Sequence, residues 1–323
     1  MRWPGPEHHL SLESSFQIKD GCYLEDDEFE EFLLDPTHFL LTKFYPRKNR
    51  ALKGFSKMYF REIYELSYLM EFGFFDDPEV KESLLACMQT GRQIRHRRKQ
   101  NGYIGNIVKE LGYPSRGAAM VAPFDVYADC LRGLIQAVID IKEYPQEVLA
   151  VVDRLTKMNV KHEIAAYKAR GERFIFIPLH AGVDEFMSRE DYLKFYWPGL
   201  KTMIEGIVEA GMTPYVFCEG KYNTRLDILK DVPKGKVIYM FEQVDIAQAK
   251  KVLGDTACIC GNLPTALLSY GKPENVVEAT KKMLYDCAPG GGFIMDCSII
   301  VDAASHENMH AWRETTLKEG VYR

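Results

Sequence analysis

From about residue 118 the chain alternates between short unbroken apolar runs and longer segments of helical period. The runs are "AAMVAPF" (118–124), "RFIFIPLH" (173–180), "TPYVFCE" (213–219), "KVIYMFE" (236–242), "TACICG" (256–261) and "GGFIMDC" (291–297). Each reads as a buried strand. Between them, segments such as "SREDYLKFYWPGLKTMIEGIVEA" and "KPENVVEATKKMLYDC" carry the spacing of amphipathic helices. Ser188 and Pro273, each followed by acids, mark helix starts, while Gly211 and Gly235 mark hand-overs to strands. Continuous apolar strands alternating with helices predict a parallel sheet covered on both faces.

The strands end on polar or reactive residues: His180, Glu219, Glu242 and Asp296-Cys297. Polar endings on several strands favour a (β/α)8 TIM barrel, whose active-site face is built from the carboxyl ends of its strands, over a doubly wound sheet with one switch point. Residues 1–117 differ. "LEDDEFEEFLLDPTHFLLTKFYPR" and "MYFREIYELSYLMEF" are amphipathic and helical, and no buried strand stands out. The expected organisation is a mainly helical part at 1–117 and a strand-bearing part at 118–323. The acidic run "EDDEFEEF" reads as the solvated first turn of a helix. The basic run "RQIRHRRKQ" (92–100) reads as a solvated face or as a docking or anion-binding patch.

Composition narrows the setting. The chain has 323 residues, 46% hydrophobic and 27% charged, with a formal net charge of −5. That balance gives no footprint for nucleic acid. No apolar window reaches membrane-spanning length, and the first residues lack the apolar core of a secretory signal, so a cytoplasmic location with no membrane partner is expected. The eight cysteines are scattered, which fits a reducing compartment better than a disulfide framework. Cys258 and Cys260 are too close for a zinc knuckle and read as core thiols.

Three stretches carry a resemblance: "GNLPTALLSYGKPENV", "VAPFDVYADCLRG" and "DEFMSREDYLKFYWPGLK". Together they resemble the uroporphyrinogen decarboxylase superfamily over roughly residues 118–323. The resemblance implies a (β/α)8 barrel, and a superfamily that holds both the decarboxylases of haem synthesis and zinc-dependent, corrinoid-linked methyltransferases. It also implies that the six strands follow the superfamily's third to eighth. The first two strands are then expected to be absent, with the open edges covered by the N-terminal helices, by another chain in a homo-oligomer, or by a completing fragment.

Departures from the family pattern separate its branches. Asp129 stands where a decarboxylase has Tyr, and Cys297 stands where it has the His of its last strand. The decarboxylase's Arg-bearing first strand and its substrate-gripping Asp have no counterpart. The methyltransferase branch ends its last strand on a zinc-ligating Cys, the position of Cys297. Glu219 then falls on a second ligand position and Phe217 on that of the family's His, so His180 is the candidate to supply an imidazole. By this resemblance the metal ligands are Glu219, Cys297 and His180. Glu219, Glu242 and Asp129 are the candidate catalytic residues, and Tyr222, Arg225 and Asp125 the candidate substrate contacts.

Zinc takes such ligands and activates an ether oxygen as a Lewis acid. The implied function is the methyltransferase component of a corrinoid-dependent demethylation system. It would move a methyl group from a small methylated substrate, such as a methyl ether, to a corrinoid protein. The alternatives are a uroporphyrinogen decarboxylase, a carboxy-lyase of porphyrin biosynthesis, or a catalytically silent binding or assembly module. Each residue also has a plainer role open to it. Cys297 is otherwise a packed thiol, Glu219 a partner for Arg225, His180 a donor to a backbone carbonyl, and Glu242 a structural hydrogen-bonder. Cys297 is expected to face the barrel mouth, and Asp296 to point away and cap locally.

Overall fold

The computed structural model describes residues 4–12, 16–18, 20–59, 72–113 and 117–321. The segment "MYFREIYELSYLMEF" lies for the most part outside the described residues. The chain divides into two compact units. One comprises Met1–Asp20, Arg116–Asp129 and Val138–Arg323, the other Gly21–Ser115 and Cys130–Ala137.

The first unit is built on six strands: β1 (Ala118–Ala119), β2 (Phe174–Leu179), β3 (Thr213–Cys218), β4 (Ile238–Phe241), β5 (Cys258–Cys260) and β6 (Phe293–Ile294). They lie in sequence order and every neighbouring pair is parallel. Helical segments intervene between consecutive strands, the repeating β/α unit of a (β/α)8 barrel. Among the described residues no strand precedes β1.

Alternation along the strands sorts the side chains into two layers. Ile175, Ile177, Leu179, Val216, Tyr239, Phe241 and Ile259 form one wholly buried face. Phe217, Met240 and Cys260 form the other, with Phe176, Tyr215 and Ile238 packed against them. The helix Trp197–Glu209 buries Leu200, Met203, Ile204 and Ile207, a spacing of three and four that makes one apolar stripe. Ser188 and Pro273 do begin helices, Ser188 by accepting the Asp191 N–H at 3.1 Å. Gly211, at φ +84°, makes the left-handed turn from the helix into β3.

All six strands are shorter than their apolar runs, β1 and β6 most of all. In "AAMVAPF" the ladder continues to Met120, whose N–H donates to the Phe176 carbonyl at 2.9 Å. Pro123 then opens a helical turn, Pro123–Asp125. Proline cannot donate to a ladder, and its fixed φ suits the first position of a helix. At β6, regular pairing ends at Ile294, but the Leu263 N–H still reaches the Asp296 carbonyl at 3.0 Å.

In the second unit, the helices Phe29–Leu34 and Pro36–Phe39 are parted by Asp35, which accepts from the N–H groups of Thr37 and His38 at 3.0 Å. The acidic run is not wholly solvated. Glu28 is buried, pairs with Lys43 at 2.9 Å and with Arg47 at 2.6 Å, and is held by Arg47 at a pKa of about 2. Phe55, Met58 and Val80 form a small core with Leu52, Phe74, Phe75 and Leu84. A 33-residue helix, Pro78–Glu110, starts from Asp77, whose side chain accepts the Glu79 N–H at 2.8 Å. No helix among the described residues is long and apolar enough to cross a membrane.

Candidate active site

The carboxyl ends of β1, β2 and β3 bring three polar side chains together. His180 extends the alternation of Phe176 and Pro178 along β2, and Glu219 that of Tyr215 and Phe217 along β3. The β2–β3 register pairs Leu179 with Cys218, so His180 and Glu219 are the next neighbours along it. Their side chains meet, His180 Nε2 lying 3.3 Å from Glu219 Oε2. Asp129, from the helical turn Val126–Arg132 after β1, places Oδ2 2.6 Å from His180 Nδ1.

An imidazole between two carboxylates is favoured as its doubly protonated cation, because each ring N–H then has an acceptor. Asp129 first and Glu219 second push the His180 pKa up to about 11, against the opposing effect of partial burial. The ring remains 36% exposed, so it is both charged and reachable.

Asp125 supports this arrangement from below. It is fully buried and accepts the N–H of His180 at 3.1 Å, the N–H of Ala181 at 2.9 Å and the Tyr196 hydroxyl at 2.7 Å. Burial raises its pKa to about 6. A residue with no exposed surface does not contact substrate in this conformation. Asp125 clamps the backbone that carries His180.

Tyr222 and Arg225 are likewise internal. Tyr222 is wholly buried, its ring edge-on to Tyr192 at 6.5 Å. Arg225 is 1% exposed and pairs with Asp184 rather than with Glu219. It also donates to the carbonyls of Val183, at 3.2 Å, and Met187, and lies 4.8 Å over the Tyr192 ring. Both residues build the wall behind the strand ends and do not line its open side. Glu242 accepts the Gly220 N–H at 2.6 Å and so fixes the turn that follows Glu219.

At the last strand the orientation differs from the sequence expectation. Asp296 turns to the layer of Tyr215 and Cys260, its Oδ2 3.5 Å from the Tyr215 hydroxyl and 3.6 Å from Cys260 Sγ. The Cys297 thiol donates to the Ile299 carbonyl at 3.0 Å, and burial, then Asp296, pushes its pKa up to about 11. His180 and Glu219 therefore stand together, while Cys297 is engaged elsewhere. Among the described residues no group of three or more His, Cys, Asp or Glu side chains is arranged to hold a metal ion. A metal on His180 would have to displace Asp129 or Glu219 from a ring nitrogen, and one on Cys297 would have to take the thiol from the Ile299 carbonyl. The donor set suggested for zinc does not fit this arrangement.

Sequence reasoning had both His180 and Asp129 but not their contact, which spans 51 residues. It missed Tyr196 and Asp184 altogether. The available signal was that two strand ends of an ordered parallel sheet lie at one height, so their terminal polar groups must meet.

A family model for uroporphyrinogen decarboxylase (URO-D) matches residues 103–317. Among curated proteins, a uroporphyrinogen decarboxylase of Chlorobium phaeobacteroides is 27% identical over 121 residues, 34% of this chain and 34% of that protein. One of Chlorobaculum parvum is 29% identical over 99 residues, 30% of this chain and 28% of that protein. The chain thus spans about a third of the length of the curated relatives it matches. Among solved structures, a methyltransferase from Methanosarcina mazei superposes with a TM-score of 0.52 at 16% identity, covering 63% of this chain and 58% of that one. That likeness is one of fold.

Proposed function

The chain belongs to the uroporphyrinogen decarboxylase (URO-D) family, and on that premise we propose that it is the methyltransferase component of a corrinoid-dependent demethylation system, working in the cytoplasm on a small methylated compound such as a methyl ether. The observation that carries this reading is His180, held as a cation between Asp129 and Glu219 at the strand ends. Cleaving a methyl–oxygen bond leaves the bonding electron pair on oxygen, and a positioned acid must neutralise it. His180 Nε2 delivers its proton to that oxygen. Asp129 keeps the Nδ1 proton in place and stabilises the ring's charge before transfer, and Glu219 orients Nε2. The corrinoid of a partner protein supplies the nucleophile that accepts the methyl group. His180 puts at the leaving oxygen the positive charge that a Lewis-acid metal would otherwise supply.

The test is methyl transfer from a panel of methyl ethers, methylamines and methyl thiols to reduced cobalamin, followed by absorbance. An ether should react, and His180→Gln should slow the reaction by roughly 10²–10⁴-fold, the usual weight of general acid catalysis. Undiminished turnover in His180→Gln would overturn the reading. The name shared by the curated relatives favours a second one, decarboxylation of uroporphyrinogen. An imidazolium would serve there to protonate the carbon that loses CO2. Coproporphyrinogen forming at enzyme-like rates would select it.

A further inference from the structure

We propose that the exposed face of the helix Pro78–Glu110 is a docking surface for an acidic, helical segment of another protein. From Ser83 to Lys109 this helix contains no acid, while Arg92, Arg95, Arg97, Arg98 and Lys99 crowd its middle. All five are exposed, and no carboxylate pairs with them among the described residues. The stretch lies ahead of residue 103, where the family match begins, so family membership does not account for it.

Left alone, this part of the helix is poorly supported. Gly91, Gly102 and Gly105 sit inside it, each costing about 1 kcal/mol relative to Ala. Among the described residues, a Cβ at any of the three would meet nothing within 4 Å, so no other described part of the chain packs against these glycines. Like charges three and four residues apart repel. A helix without a packed face is marginal in water, and a partner that neutralised the cations would stabilise it.

The spacing specifies that partner. Leu85, Met88, Arg92, Arg95, Lys99 and Tyr103 follow one another at three and four residues and share one face. Leu85 is 53% exposed, Met88 61% and Tyr103 70%. The complement of that seam is apolar at its ends and acidic in its middle. Lipid suits it badly, because between Gly91 and Gly102 only Ile94 is apolar. Nucleic acid would use the cations alone, leave Leu85 and Met88 in water, and meet a chain of net charge −5. A second copy would set cation against cation. Half of the acids in its acidic run are also engaged, Glu28 with Arg47 and Lys43, Glu31 with Lys43, and Asp26 with Arg132.

The experiment uses the full chain and a synthetic helical peptide with leucines at the ends of its seam and glutamates in the middle. Fluorescence anisotropy should show the peptide binding at least about tenfold more tightly than its scrambled form, a difference of roughly 1.4 kcal/mol. Reversing the charge (Arg92→Glu, Arg95→Glu and Lys99→Glu together) should abolish binding and create binding to the matching lysine peptide. The neutral triple variant to Gln should fall between, and it stands in if the reversed variant loses helicity by circular dichroism. Equal binding of native peptide and scrambled form, failure of the charge swap in folded protein, or tighter binding of duplex DNA or phosphatidylserine vesicles would overturn the proposal.

Discussion

Nδ1 of His180 lies 2.6 Å from Oδ2 of Asp129, and the same ring turns Nε2 toward Glu219. The contact makes the histidine a cation across the whole neutral range, which sets its chemistry and its pH signature.

The pH signature follows from the raised pKa. A group whose pKa rises from 6.5 to about 11 on folding contributes stability that is fully present below pH 6.5 and is lost as pH rises through about 11. The stability difference between the native chain and His180→Gln should therefore shrink as pH rises through that window. Urea unfolding at several pH values measures it, and NMR of the ring follows the proton directly. A ring that titrates near its ordinary value would show that Asp129 and Glu219 do not hold it.

Removing Asp125 should be costly although it touches no substrate. In Asp125→Ala the N–H groups of His180 and Ala181 and the Tyr196 hydroxyl all lose a buried acceptor. At about 1–3 kcal/mol for each orphaned group, a loss of about 3 kcal/mol or more is expected. The ring of His180 should also shift its NMR signals. A variant as stable as the native chain would contradict the clamp.

Arg225 offers a contrast between structure and binding. Arg225→Ala leaves Asp184 with only the Thr224 N–H and hydroxyl and empties the space over Tyr192, so stability should drop by about 3 kcal/mol, the lower end of what removing one partner of a buried ion pair costs. Denaturant unfolding reads this. A rise in KM with stability unchanged would return Arg225 to the substrate.

Gly220 sets the turn after Glu219 at φ +89°. A Cβ there would lie 2.8 Å from Val183 Cγ1. Gly220→Ala should cost about 1–3 kcal/mol, since the left-handed backbone suits only glycine. It should also loosen Glu219, so that the His180 ring titrates at lower pH than in the native chain. Unchanged stability and titration would mean that the turn tolerates a side chain.

The strands were legible because they are continuous apolar runs, and their polar endings pointed to the face where His180 and Glu219 now meet. Harder to read was which way each ending faces. Regular pairing at β6 covers only Phe293–Ile294, so the alternation that governs a long strand gives little hold on Asp296 and Cys297. Arg225 and Tyr222 follow β3 in a polar-looking loop, "EGKYNTRL", yet both are buried. A guanidinium goes inside only when carboxylate and carbonyls await it, and Asp184, Val183 and Met187 come from the preceding strand's loop. Asp125 and Asp129, one turn apart, took opposite roles for the same reason: what surrounds each arrives from the end of β2 and the helical segment after it, far along the chain.

Asp129, His180 and Glu219 come from three successive strand–loop units, so no local segment contains the site. Helices form quickly from neighbours in sequence, whereas contacts across many residues wait for loops to close. A refolding chain should thus regain its far-ultraviolet helical signal before the histidine regains its held proton. The state between would pass for native by helix content while carrying an ordinary, freely titrating imidazole. The proton on His180 is in this sense a clock for the joining of the first three strands.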